Sequence, residues 1–362
     1  MPENGLDAIL LFAPESHYWL TGYDTFGFAT FQCMVMPSCG DIHLLTGAPD
    51  RLQAQQTSTL TLDHIHIWKD VEGVDPIDNL SIPLSELDLS TSALGLESCT
   101  VGLTDFWDQR LRTTLPDLYD ASDIFPTLRR LKSDAEVAMH RRAAALSDDA
   151  LDAAFALTRP SAFEGDILAA MQGAVFKSGG DYAGNEFIIG SGDTALLCRS
   201  ASGRRHLGQQ DQMTLEWAGA FARYHAAMMQ TLIIGAPPPQ HHRKHTAAAE
   251  ALQACEAAIR PGAPMGDVFG AHAATFDAHG FGHARLNACG YGMGAVYGPI
   301  WVDFPMFYEN SPTTMQENQV FFLHMIVMDD TTGNAICLGH SVLVTKTGAE
   351  RLSRHAPDLY TF

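Results

Sequence analysis

The chain has 362 residues, enough for two domains or one large one, and 46% of them are apolar, enough for a substantial core. A formal net charge of -20 disfavours nucleic acid and anionic membrane surfaces as partners, and no run of about 18 apolar residues offers a membrane span. Seven cysteines, odd in number and without a CxxC pair, fit reduced thiols in a cytoplasmic protein; the opening MPENGLDAIL lacks the basic stretch and cleavage site of a signal peptide.

The first elements alternate strands with turns. DAILLFAPESHYWLTGY gives a buried strand, a polar break and a short helix or strand. FATFQCMVMPSCGDIHLLTG reads as a hairpin joined at Pro37–Asp41, HIHIWKD as a strand of period two, and ALGLES and TVGLTD continue the pattern before a helix at about 103–115. Together they make an α/β domain over 1–125. A long helix opens at Ser133, whose capping box with Glu136 satisfies two free amides, and ends at Pro160. Ser161 and Glu164 are expected to cap a second helix to Lys177. The second domain, 126–362, continues with strands, a helix in TAAAEALQACEAAIR ended by Pro261–Gly262, a shorter helix stopping at Gly280, and strands in QVFFLHMIVMD and NAICLGHSVLVTKTG. The run QHHRKH, 240–245, is expected to be a solvated loop. LEWAGAFARYHAAMMQT, 215–231, reads as two strands around a turn at Gly219, with Met228 and Met229 in strand core.

HYWLTGYDTFGF, RRLKSDAEVAMHRRAAALSDDAL and SVLVTKTGAERLS, in that order, resemble the creatinase, prolidase and aminopeptidase P family (M24) over essentially the whole chain. The resemblance implies an α/β (α+β) fold: a small N-terminal α/β domain and a C-terminal pita-bread domain. Its metallopeptidase members bind two metals through Asp, Asp, His, Glu and Glu. Here those positions fall on Glu216, Ala227, Tyr291, His324 and Gly339, the last beside His340. A carboxylate-bridged pair of dications needs several anionic ligands, so the expected cofactor is none and the expected metal is none. A single zinc on Glu216, His225, His324 or His340 stays open on ligand chemistry. Creatinase and the ectoine hydrolases, metal-free relatives, cleave C–N bonds in small zwitterionic solutes. Glu216, Gly219, Arg223, Tyr224 and His225 resemble the ectoine hydrolase hairpin most. Where creatinase-like members carry a histidine upstream of the hairpin, this chain has Arg199, and the nearest histidine is His206.

Each candidate has a chemical reason. Glu216 sits in an apolar strand, where a carboxylate is costly unless used, and suits a nucleophile, general base or cation anchor. His324, and with it His225 and His340, suit acid–base work near neutral pH. Tyr291, between two glycines, suits donation to a leaving nitrogen or oxyanion. Trp217, Tyr224, Arg199 and Trp301 are expected to bind substrate, the aromatics as a cation-binding wall. The function expected is a metal-independent hydrolase of a non-peptide C–N bond in a small zwitterionic or cationic solute. It would be a cytoplasmic homodimer that contacts neither nucleic acid nor membrane. The rivals are a metal-dependent Xaa-Pro peptidase-like enzyme, an osmolyte lyase with a rebuilt metal site, and a non-catalytic binding protein on the same fold.

Overall fold

The structure, a computed structural model, describes residues 5–69, 71–115, 117–200 and 203–362. Met1–Asn4 of the opening segment and Asp70 of HIHIWKD lie outside them. The chain divides into two compact units, Met1–Arg129 and Arg130–Phe362. No helix among the described residues is long and apolar enough to cross a membrane. All seven cysteines are unpaired thiols, and four of them are buried.

The first unit runs β1 (Ala8–Leu11), α1 (Pro14–Thr21), β2 (Cys33–Pro37), β3 (His43–Gly47), α2 (Arg51–Thr57), β4 (Ile65–Trp68), α3 (Pro76–Glu86), β5 (Leu94–Leu96), α4 (Asp105–Thr114), β6 (Leu118–Asp120) and α5 (Ile124–Arg129). Its six strands lie in the order β4-β3-β2-β1-β5-β6. The β2–β3 hairpin is antiparallel, and the outer neighbours β3–β4, β1–β5 and β5–β6 are parallel. Leucines of β1, β3, β5 and α3 fill the core on one face.

The second unit runs α6 (Asp134–Leu157), α7 (Glu164–Lys177), β7 (Ile188–Ser191), β8 (Asp211–Phe221), β9 (Tyr224–Ile234), α8 (Pro239–Ala258), α9 (Met265–Ala278), β10 (Ala288–Gly292), β11 (Asp303–Tyr308), β12 (Val320–Asp329), β13 (Asn334–Thr345), β14 (Gly348–Arg351) and β15 (Tyr360–Thr361). The sheet order is β11-β10-β12-β13-β9-β8-β7, with β14 on β13 and β15 on β9. One face packs against helices: α6 and α7 over β7–β9, α8 and α9 over β10–β13. Ala218, Ala227, Met229, Tyr291, Phe322 and Cys337 line the other face.

Three local expectations need correction. The hairpin turn is Ala222–Arg223, both left-handed at φ 48° and 63°, as a two-residue turn between twisted strands requires. Gly219 instead lies mid-strand, where a Cβ would run into the Ala143 carbonyl of α6. At α6 the capping box forms, with Ser133 N–H donating to Glu136 Oε2 at 2.7 Å. At α7 it does not: Glu164 is the first helical residue and is buried, accepting from Ser191 Oγ at 2.5 Å and from the Arg204 and Arg205 amides at 3.0 Å. Finally, QHHRKH is helix. Pro239 starts α8, and His241, Lys244, Ala248, Ala251 and Cys255 form its buried stripe with the spacing of one helical face. Lys244 Nζ lies 2.9 Å from Asp329 Oδ2, both nearly inaccessible.

Candidate active site

Side-chain alternation in β8 and β9 decides what the hairpin presents. Glu216 and Ala218 point to the helix-free face, Leu215 and Trp217 to the helices. Glu216 is the single interior position of β8 that is not fully buried. It heads a ladder across four strands: Glu216 pairs with Met229, Met229 with Gly339, and Gly339 with His324. Paired residues point to the same face, so Glu216 and His324 share it, three strand spacings or about 14 Å apart at the backbone. They do not touch. Tyr291 of β10, the strand beyond β12, pairs with Phe322 and so shares this face, its ring 5.7 Å from that of His324 and 5.5 Å from that of Phe322.

The electrostatics assign the titrating group. Burial raises Glu216 from the ordinary carboxyl value to about 7, against the opposing pull of the Arg199 guanidinium. The carboxylate has no hydrogen-bond partner among the described residues, which leaves it available. Burial, then the Glu216 charge, pushes the Tyr291 phenol well above its ordinary value, so it stays protonated. Trp301 Nε1–H donates to Tyr291 Oη at 2.9 Å. That bond occupies an acceptor lone pair and leaves the phenol proton free to be donated elsewhere. Trp301 N–H is in turn accepted by Asn185 Oδ1 at 3.2 Å. Arg199 is exposed and acts on both Glu216 and Tyr291.

The three candidate histidines are all buried and differ in what surrounds them. Burial lowers His324 to about 4, so it is neutral at pH 7, with Nδ1 lacking a partner among the described residues. His225 faces the site but is consumed by backbone. Nδ1 lies 2.8 Å from Arg223 O, and the Gly184 amide donates to Nε2 at 2.9 Å. These partners fix the Nδ1–H tautomer, and burial lowers the imidazole to about 4. It holds the loop 181–187 against the sheet. His340, one residue past Gly339, points to the opposite face by alternation. There its Nε2 lies 2.6 Å from Glu256 Oε1 of α8. Burial keeps its pKa below the ordinary value, so a neutral N–H donates to the carboxylate, and Arg351, 3.3 Å from Glu256, supplies the charge.

Two of the expected substrate-binding residues also face away. Trp217 is buried among the helices, its indole N–H bonded to Ser147 O at 2.9 Å. The Tyr224 hydroxyl donates to Glu136 Oε1 of α6 at 3.0 Å, and its ring packs on His140. His206 lies near α7, with Nδ1 3.2 Å from Ser161 O. On this face Glu216, Arg199 and Tyr291 lie within electrostatic reach of one another, and Tyr291 is bonded to Trp301 and packs against His324. Residues missing from the sequence-derived set are Cys198 and Cys337, whose thiols feel the Glu216 charge, with Met229 and Thr214 on the same face. The period of two from Glu216 would have found Thr214. A pocket of about 400 Å³ lies behind the 181–187 loop, lined by Gln172, Phe176, Asp181, Tyr182, Asn185 and Pro299 among others; Glu216, Tyr291 and His324 do not line it.

The five positions do not suit a dinuclear metal centre. They hold one carboxylate, one phenol and one imidazole; Ala227 and Gly339 offer no side-chain donor. Among the described residues, no three His, Cys, Asp or Glu donor atoms converge at Glu216. At Gly339 a Cβ would run into the Leu323 carbonyl and stand 3.1 Å from the Phe322 ring, so aromatic packing fills the place of a ligand.

Comparison with known proteins agrees with this architecture. The Creatinase/Prolidase N-terminal domain matches residues 1–131, and metallopeptidase family M24 matches 138–346. The ectoine hydrolase of Halomonas elongata is 25% identical over 380 residues, spanning 99% of this chain and 94% of the relative. The Xaa-Pro dipeptidase of Pyrococcus horikoshii is 19% identical over 372 residues, spanning 99% and 96%. The solved prolidase from Thermococcus sibiricus superposes with a TM-score of 0.88 at 16% identity, covering 100% of this chain and 96% of its own, a likeness of fold. With its M24 domain matched over more than half its length, the chain belongs to metallopeptidase family M24, as a hydrolase-type member with the creatinase-like N-terminal domain and the pita-bread fold.

Proposed function

We propose that this protein hydrolyses a non-peptide C–N bond in a small zwitterionic solute, without a metal, using Glu216 as general base. The observation that carries the reading is Glu216 itself: the one carboxylate at the five family positions, desolvated, unbonded and raised to about 7, where a base is most effective at neutral pH. Similarity to an ectoine hydrolase along 99% of the chain supports the substrate class.

In this mechanism Arg199 pairs with the solute's carboxylate and orients its amidine, amide or ureido carbon toward Glu216. Ionised Glu216 takes a proton from water as the water oxygen bonds to that carbon. The Tyr291 phenol donates a hydrogen bond to the heteroatom that gains the electron pair, its acceptor side held by Trp301. Glu216 then passes its proton to the departing nitrogen as the C–N bond breaks, which restores the carboxylate. His324 stays neutral and supports Tyr291 by ring packing.

The test is product release followed by mass spectrometry on a cyclic amidino acid, a guanidino acid, a ureido acid and an Xaa-Pro dipeptide. The expected result is turnover of at least one of the first three, rising with pH through about 7. It should fall at least a hundredfold in Glu216→Gln. Cleavage of the dipeptide alone, or binding without turnover of any of the four, would overturn the proposal.

A further inference from the structure

The N-terminal unit holds a cluster that the chemistry above does not use. His43 opens β3, and His66 lies in the parallel neighbour β4, opposite Leu45. His43 and Leu45 alternate onto one face, and His66 stands beside Leu45, so both imidazoles share the face that α3 covers with Ile77, Leu80 and Leu84. Glu86, the last residue of α3, reaches over them. His43 Nδ1 and His66 Nε2 lie 2.9 Å apart, and Glu86 Oε2 is 3.7 Å from the first and 3.6 Å from the second. A point equidistant from the three atoms lies about 2.0 Å from each, the length of a zinc–nitrogen or zinc–oxygen bond.

The surroundings suit an ion. The two imidazole side chains are only 7% and 10% exposed while the carboxylate is 50% exposed, so there is a solvent approach over Glu86 and room for water ligands. The C-terminal end of α3 contributes partial negative charge. Burial holds both imidazoles below the ordinary value, in the neutral form that ligates metal. Outside the triad, the His64 ring stacks on His43 at 4.5 Å, and Asp41 Oδ2 lies 4.0 Å from His64 Nε2.

We propose that His43, His66 and Glu86 form a mononuclear site for a borderline divalent transition metal, zinc or its neighbours, separate from the C–N chemistry. Without metal, nitrogens 2.9 Å apart share one proton, since two N–H groups facing each other would leave neither with an acceptor. An entering ion bonds both nitrogens as the donor ring releases that proton and takes one up from solvent at its other nitrogen, so both imidazoles stay neutral, and Glu86 partly neutralises the ion's charge. Two imidazoles and one carboxylate favour zinc, nickel or copper over magnesium and calcium.

The test is titration of full-length protein, stripped with a chelator that is then removed, with Zn²⁺ by calorimetry and with Co²⁺ by visible absorption. The expected result is one ion per chain, with affinity at least tenfold weaker in His43→Asn and in Glu86→Gln, and unchanged stoichiometry in Glu216→Gln. Glu86→Gln changes a half-exposed helix end, so it keeps the test valid should the histidine variant fold poorly. Failure of the folded wild type to take up Zn²⁺, or uptake that both substitutions leave unchanged, would overturn the site.

Discussion

Replacing Glu216 by glutamine tests the electrostatic claim without knowledge of the substrate. In the unfolded chain this carboxyl loses its proton near 4.5, and in the folded chain near 7. At 1.36 kcal/mol per pH unit, ionised Glu216 costs the fold about 3 kcal/mol at pH 8 but less than about 1 kcal/mol at pH 5. The sign follows from the raised value: wild-type stability falls as pH climbs from 4.5 to 7, then levels. Glutamine keeps the volume, removes the charge and has an amide desolvation cost of about 1–2 kcal/mol. The variant should therefore be more stable than wild type by about 1–2 kcal/mol at pH 8, a rise of about 2–8 °C in melting temperature. At pH 5 it should be equal or slightly less stable. Calorimetry of both proteins at the two pH values reads this directly. A variant that melts lower than wild type at pH 8, or a difference that does not change with pH, would show that Glu216 is a paired structural carboxylate and refute the reasoning.

Other substitutions separate structural groups from the site. Lys244→Met strands Asp329 in the core and should cost about 3–5 kcal/mol by chemical denaturation. His225→Phe removes the partners of the Gly184 amide and the Arg223 carbonyl, and at about 1–3 kcal/mol for each unsatisfied group should lower the melting temperature and loosen the 181–187 loop in hydrogen exchange. His340→Ala removes a bond to a charged carboxylate on the helix face, costing about 1.5–3 kcal/mol, with turnover per folded molecule unchanged.

Family membership and fold class were legible in the sequence because long elements carry their periods openly. The capping box at Ser133, the apolar strands β12 and β13 and the helix ending before Gly280 all announce themselves. α3 did not, because Pro83 interrupts its pattern, and with α3 hidden nothing drew Glu86 toward His43 and His66. The start of α8 was obscured by a charged run whose buried stripe, His241, Lys244, Ala248, shows only at helical spacing. At the candidate site, the positions read from the sequence put Glu216, Tyr291 and His324 on one sheet face, yet the same reading also admitted Trp217 beside Glu216, Tyr224 beside His225 and His340 beside Gly339. Adjacent residues of a strand cannot face one cavity, so strict alternation would have removed one of each pair. That His225 is held by backbone groups is a matter of loop closure, which no local pattern encodes.

The most direct test of the central claim is the hydrolysis rate of the active zwitterionic substrate after exhaustive chelation, measured beside Glu216→Gln and with Mn²⁺, Co²⁺ or Zn²⁺ added back. If a carboxylate raised to about 7 does the work, chelated wild type keeps its full rate, added metal does not increase it, and the variant is inactive under every condition. Loss of the rate on chelation with recovery on adding metal would contradict the account.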